Sequence, residues 1–449
     1  MPIQDKVVTD ALLVRYFKSE SPKVRFIGRS RLKTRRLIAQ LDPHHDLGQQ
    51  RERLLELWRC LLGDAIVFLK KKDQREKYHD KEIFGVDDLY EYFKRMGKFE
   101  GTLYGTVPSY RDHITHTLRV FMLGEYVIRK AIGFGAVSCE DDQLNKYRIR
   151  PDEKEAMWAI IALCHDLGYP LESIHVISEN AREMLEKFGR MSIQELAYGL
   201  SPQSQAIGDF VVRFIGSNLL PHPRSHSQRF TQIPRTSSVV RPYQQTQTFA
   251  VHEQPKYSIK FANALNECQH GIMSCLLIVK KLVYFLESDY TTDTFKFLDQ
   301  KDAKQYLIRR IILRAIASHD CEEIYHLTLN NFPFLLLICD EMQDWGRPRL
   351  VELFERAVPS KLRIRTFDAV NVDYEIEFAK GLGKGSSNTE ISDYFKKKKQ
   401  KFIKVLRSAV GGKYRNLCLT FRVTDRTTRP LKKYRLEHPR PDKVKVYTP

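Results

Sequence analysis

Apolar positions recur at helical spacing over most of the first 355 residues. The stretch Arg51–Lys70 (RERLLELWRCLLGDAIVFLK) places Leu54, Leu57, Leu61 and Ile66 on one predicted buried face. Residues 86–94 suggest a further short helix. Residues 1–95 therefore read as a polar, helical N-terminal region. Longer helical patterns cover 111–132, 152–167, 171–188, 259–286 and 303–319. Gly168 and Pro170 stop the second of these. Pro333, at the expected first helical position, opens a sixth that runs to 344. Together these patterns predict a helical domain over 96–355.

Two regions break the period. Between 189 and 255, Pro221, Pro223, Pro234, Pro242 and Pro255 stand among Ser, Gln, Thr and Arg. This composition predicts an exposed, polar insertion or lid. From about 356 the chain changes character again. Residues 372–378 alternate like a strand, 416–423 read as a second and 432–437 as a third. A very basic helix is expected over 391–410, with Ser387 or Asn388 as its cap. The expected fold class is thus mainly α, with an N-terminal helical extension and a small C-terminal α+β domain over 356–449.

Composition narrows the class. A hydrophobic share of 42% and an aromatic share of 11% supply a sizeable core, which excludes global disorder. No apolar run reaches the roughly 18–20 residues that span a bilayer. The N-terminus lacks a cationic start followed by an apolar block, so no secretory signal is expected and the expected location is cytoplasmic. Eight cysteines form no CxxC pair, which argues against disulfides and against a thiolate zinc site. Net charge is +19, and residues 391–449 hold eighteen Lys or Arg against four acidic residues. Such a chain attracts anionic partners, here a nucleotide-type substrate or nucleic acid at the basic C-terminus. Oligomeric state leaves no mark in the sequence.

The chemistry is concentrated in a few polar residues within apolar helices. ALCHDLGYP (162–170) places His165 and Asp166 at the end of one. His116 lies in phase with Val120, Leu123 and Val127. His270 lies in phase with Ser274 and Leu277, and His319 follows Ile312 and Ala315. Asp340 interrupts FLLLICDEMQDW. Alone, a His-Asp pair is ordinarily a hydrogen-bonded core pair, and a lone buried Asp is costly unless it is paired or metal-bound. Five helices, each bringing an imidazole or carboxylate toward one core, suit a borderline divalent ion. GLGKGSS lacks the spacing of a phosphate-cradling loop, and no Ser-His-Asp arrangement with a nucleophile elbow is present.

The order His, His-Asp, His, His, Asp resembles the HD superfamily of metal-dependent phosphohydrolases over about residues 111–347. RDHITHTLRV resembles the opening helix, HDLGYP the signature pair and ICDEMQDWGRP the final aspartate helix. The resemblance implies an HD-type helical bundle holding two divalent ions (Mn, Fe, Zn or Mg). His116, His165, Asp166 and Asp340 would hold the first ion. Asp166 would bridge to a second completed by His270 and His319, with His165 and Asp166 central to catalysis by metal-activated water. Two-metal members often have two adjacent histidines where this chain has His319-Asp320, so Asp320 either ligates or orients a ligand. His113 is a possible orienter, or else a surface histidine. Candidates for substrate phosphate are Arg111, Lys280, Lys281, Arg309, Arg310, Arg314 and, favoured, Arg347. Gly168-Tyr169-Pro170 directly follows the pair, unlike the downstream GYP of the cyclic-di-GMP phosphodiesterases. The implied reaction is hydrolysis of a nucleotide-type phosphoester, with a cyclic nucleotide or dinucleotide diester favoured. Two rivals stand beside it: a di-iron oxygenase of the same fold, and a basic nucleic-acid-binding protein with a regulatory helical core.

Overall fold

A helix that is apolar all round has no face for water and belongs at the centre of a fold. Residues 113–127 are largely apolar and buried throughout, while 153–164 and most of 300–318 are buried on every side although they carry charged residues. In the computed structural model they form the middle of a mainly helical protein. The structure describes residues 2–27, 32–45, 47–70, 85–106, 112–172, 202–222, 248–286, 297–346 (without 322 and 325–329), 357–368, 371–380, 388–406, 418–425, 432–437 and 445–447. Among these are helices α1 (Asp10–Glu20), α2 (Leu32–Gln40), α3 (Arg51–Lys70), α4 (Val86–Thr106), α5 (His113–Val127) and α6 (Pro151–Cys164). After them come α7 (Pro202–Gly216), α8 (Pro255–Asn266), α9 (His270–Lys281), α10 (Gln300–Ser318), α11 (Phe332–Met342) and α12 (Asn388–Leu406). No described helix is long and apolar enough to cross a membrane.

The strands are β1 (Ile3–Val8), β2 (Ser217–His222), β3 (Thr248–Glu253), β4 (Ala357–Phe367), β5 (Asn371–Lys380), β6 (Cys418–Asp425), β7 (Lys432–Glu437) and β8 (Lys445–Tyr447). Six of them form one sheet in the order β1-β4-β5-β6-β7-β8. Among the described residues, the β5–β6 pair is the one parallel pair in this sheet. A parallel pair needs a crossover, and α12 supplies it. Phe395 and Phe402 of α12 then pack on Phe421, with ring centres 5.5 and 5.8 Å apart.

Several expectations change. The N-terminus does not start as helix: β1 pairs antiparallel with β4, Ile3 opposite Phe367 and Val8 opposite Leu362. The helix expected over 86–94 extends to Thr106. The helix expected over 259–286 is two, because Cys268 adopts φ 52° between α8 and α9. That break makes His270 the first residue of a helix. The polar insertion is partly regular, since it holds α7 and the antiparallel pair β2–β3. Pro333 takes the second helical position, behind the cap Asn331, whose side chain accepts from the Phe334 amide. Of the helix expected over 171–188, residues 173–188 lie outside the described residues, as does Ser387. The described cysteines are free thiols.

Not every buried charge serves a site. Glu125 of α5 and Glu155 of α6 both reach Arg129. Burial pushes the Glu125 carboxyl up to about 7 against the pull of Arg129, with Glu20 adding to the rise. A carboxyl raised on folding costs nothing below its unfolded value near 4.5. The cost grows as pH climbs through the folded value and is complete above it. Stability should therefore fall between about pH 5 and pH 8 by up to about 3 kcal/mol through this group. Glu125→Gln should flatten that slope in urea denaturation. Identical slopes in the two proteins would contradict the assignment.

Candidate metal centre

The end of α6 brings His165 and Asp166 into place. Its last carbonyls have no intrahelical partner. Trp58 Nε1 donates to Leu163 O at 2.8 Å, and His165 Nδ1 donates to Ala162 O at 2.9 Å. Tyr92 Oη donates to Leu167 O at 2.7 Å, fixing the turn that follows. At Gly168 a side chain would strike the backbone, because its Cβ would lie 2.3 Å from His270 O. Glycine thus lets this turn press on the start of α9. Ser274 Oγ locks the contact by accepting from the Gly168 amide and lying 2.7 Å from His165 O.

Each of the four histidines has its Nδ1 engaged, which turns Nε2 inward. His165 uses Ala162 O, and His319 donates to Ile316 O at 2.6 Å. His116 Nδ1 meets Gln343 Oε1. The amide orientation there is fixed, because Gln343 Nε2 donates to Trp345 O at 2.8 Å. His270 Nδ1 faces Glu172 Oε2 at 2.5 Å and Asp320 Oδ2 at 3.0 Å. Such partners fix the tautomer and raise the basicity of the inward nitrogen.

The inward nitrogens converge on two carboxylates. His116 Nε2 lies 2.9 Å from Asp340 Oδ1, and His165 Nε2 lies 3.9 Å from it. Asp166 divides the set. Its Oδ2 is 3.4 Å from His116 and 3.3 Å from His165, whereas its Oδ1 is 3.6 Å from His270 and 3.7 Å from His319. Three nitrogens lack what ordinary packing would give them. His165 Nε2 is buried without a hydrogen-bond partner. His270 Nε2 and His319 Nε2 face each other at 3.0 Å, and two lone pairs repel unless a proton or cation lies between them. A divalent cation answers both, so the donor set fits the expected ions.

The electrostatics agree. Burial opposes charge on Asp166, Asp340, His165 and His270, yet the neighbours prevail. His165, His319, His113 and His116 hold Asp166 well below the usual carboxylate range. His116 and His165 do the same for Asp340. Asp166 and Asp340 raise His165, while Asp320 and Glu172 raise His270 well above an ordinary imidazole. A divalent ion taken up here would have to displace protons, so its affinity would weaken as pH falls.

The remaining candidates sort as follows. Asp320 touches His270 on its Nδ1 side, so it orients that ring, and His270 holds its carboxyl low. His113 is buried, not at the surface. It lies 3.4 Å from Glu100 and packs at a tilt against Tyr169 with ring centres 4.1 Å apart. Arg347 and Arg111 lie outside the described residues. Arg309 donates to Tyr284 O, Arg310 pairs with Glu140, and Arg314 lies over Tyr257. Lys280 reaches Ser204 and Lys281 lies 3.7 Å from Asp88. The sequence reading missed Gln343, Glu172 and Ser274 as orienting groups. It also missed Lys401. That ammonium pairs with Glu341, and Glu341, Asp340 and Asp320 sustain its charge against burial.

The chain matches no family model, no curated protein and no solved structure. The functional reading rests on the residues themselves. Among the described residues, three groups have donor atoms within 4.8 Å of one another: His116, His165 and Asp340; His165, Asp166 and His319; Glu172, His270 and Asp320. The first two groups share His165 and hold the inward nitrogens of His116, His165 and His319. The third lies behind His270.

Proposed function

We propose that this chain is a divalent-metal-dependent phosphohydrolase of the HD type that cleaves a nucleotide-type phosphoester, with a cyclic nucleotide or dinucleotide diester favoured. The observation that carries the reading is the division of Asp166, one oxygen toward His116 and His165, the other toward His270 and His319. A carboxylate so placed suits a bridge between two ions. His116, His165 and Asp340 would complete one site, and His270 and His319 the other. Nitrogen and carboxylate donors without thiolate suit Mn, Fe or Zn, and Mg less well. When bound, such ions acidify water and neutralise phosphoryl oxygens.

The chain's own groups supply the rest. Gln343, Ala162 O, Ile316 O, Glu172 and Asp320 hold the four imidazoles in one tautomer. Lys401 sets a positive charge beside Asp340 and Asp320, where a substrate phosphate would find it. The net charge of +19 draws anions toward the molecule.

The test is elemental analysis of purified protein by mass spectrometry, with a phosphodiester assay on the same sample. About two transition-metal ions per chain are expected. Chelator should abolish hydrolysis, and manganese should restore it. No retained metal and no hydrolysis after reconstitution would sink the reading. Iron with an oxygen requirement would move it to the oxygenase.

A further inference from the structure

A second polar cluster lies along α10, apart from the metal centre. Its core is Arg310, whose side chain is 1% exposed. Nη2 donates to Glu140 Oε2 at 3.0 Å. Nε and Nη1, on either flank of that contact, are buried with no partner among the described residues. One turn further on, Arg314 lies with its guanidinium 4.4 Å from the centre of the Tyr257 ring. Both arginines draw on Glu140, and burial together with Arg310 lowers Arg314 to about 10. Two guanidinium charges thus share one carboxylate.

This arrangement is expensive as it stands. A buried charged donor without an acceptor is among the costliest features a fold can keep. Glu140 adds to the cost, because it adopts φ 54°, a left-handed conformation that non-glycine residues avoid. Strain of that kind persists where the surroundings impose it, and it clusters at ligand clamps. The Glu140 side chain keeps 60% of its surface exposed, so the cluster opens to solvent on that side.

We propose that Arg310 and Arg314 bind a small phosphate-bearing anion at a site separate from the metal centre. A tetrahedral anion has enough oxygens to accept from both flanks of Arg310 and from Arg314, and its charge offsets the excess cation. Arg310 precedes His319 by nine residues. That is roughly 14 Å along the helix and about half a turn around it. The inference does not depend on the reading of the metal centre.

Thermal unfolding of chelator-treated, full-length protein tests it, with inorganic phosphate titrated at constant ionic strength against chloride. Phosphate should raise the Tm by about 3 degrees at saturation, and chloride should not. Arg314→Gln should abolish the rise. Arg310→Met, which removes the buried charge, should stay as stable as wild type in chloride and be blind to phosphate. Asp166→Ala should keep the full rise. The proposal falls if wild type shows no phosphate effect, or if Arg314→Gln keeps it. It also falls if Asp166→Ala loses it, which would place the anion at the metal centre.

Discussion

Asp166→Ala is expected to empty both halves of the centre, whereas His270→Ala empties one. Asp166 alone faces all four inward nitrogens, with separate oxygens for the two pairs. Its removal takes a ligand from each site and leaves four imidazoles with one carboxylate, Asp340, on the far side. Metal content should fall from about two ions per chain to near none. Hydrolysis should fall on the order of a thousandfold or more, as when a central member of a catalytic unit is lost. His270→Ala removes a nitrogen from the His319 side only, so about one ion should remain. Glu172→Gln is a finer probe. It leaves every ligand in place and weakens the group that orients His270, so affinity for one ion should drop by about 10- to 100-fold. Mass-spectrometric metal counts on the three variants, with circular dichroism to check folding, separate the cases. Equal loss in Asp166→Ala and His270→Ala would mean a single shared site. No change in Asp166→Ala would remove the bridging role altogether.

The parts of this centre that could be read from sequence were those where a polar residue stands against a strong apolar period. His116 and Asp340 stand inside apolar helical patterns and His165 directly follows the apolar end of another, so burial could be inferred, and with it the need for a partner. His270 was harder. The run from 259 to 286 reads as one helix, and nothing in ECQH announces that Cys268 turns left-handed and restarts the chain at His270. The orienting groups were invisible for another reason. A glutamine one turn beyond Asp340, or a glutamate six residues after Asp166, has no pattern of its own, and only the fold brings Gln343 to His116 and Glu172 to His270. Strand β1 fails at longer range. Six residues, half of them polar, gain their structure from β4, more than 350 positions away.

The basic helix gave the most misleading signal. KKKKQKF reads as a solvated charge run, and Lys396 does extend into solvent with 67% of its side chain exposed. Lys398 does not. Its ammonium lies 2.6 Å from Glu341 Oε2 and 2.8 Å from Asp344 Oδ2, and it donates to Glu341 O at 2.7 Å. Lys401 and Tyr394 complete the arrangement on the same two carboxylates. A cation at the C-terminal end of α11 also satisfies an orphan carbonyl and opposes the helix dipole. Lys398→Met should therefore leave two buried carboxylates with one ammonium between them, at a cost of about 3–5 kcal/mol. Lys396→Met, which breaks only an exposed pair with Asp393, should cost less than about 1 kcal/mol. Urea denaturation of the two variants reads the difference directly. Glu341 adjoins Asp340, and Gln343 closes the same helix, so loosening this end should also lower metal retention in Lys398→Met. Equal stability of the two variants would mean that Lys398 belongs to the solvated surface after all. If the expected difference is found, deleting residues 360–449 is no clean test of nucleic-acid binding. That deletion removes β5 to β8, most of β4 and the cations that neutralise the end of the α11 helix. Loss of binding would then report a damaged core as readily as a lost interface, whereas Lys396→Met and its exposed neighbour Lys397 probe the surface alone.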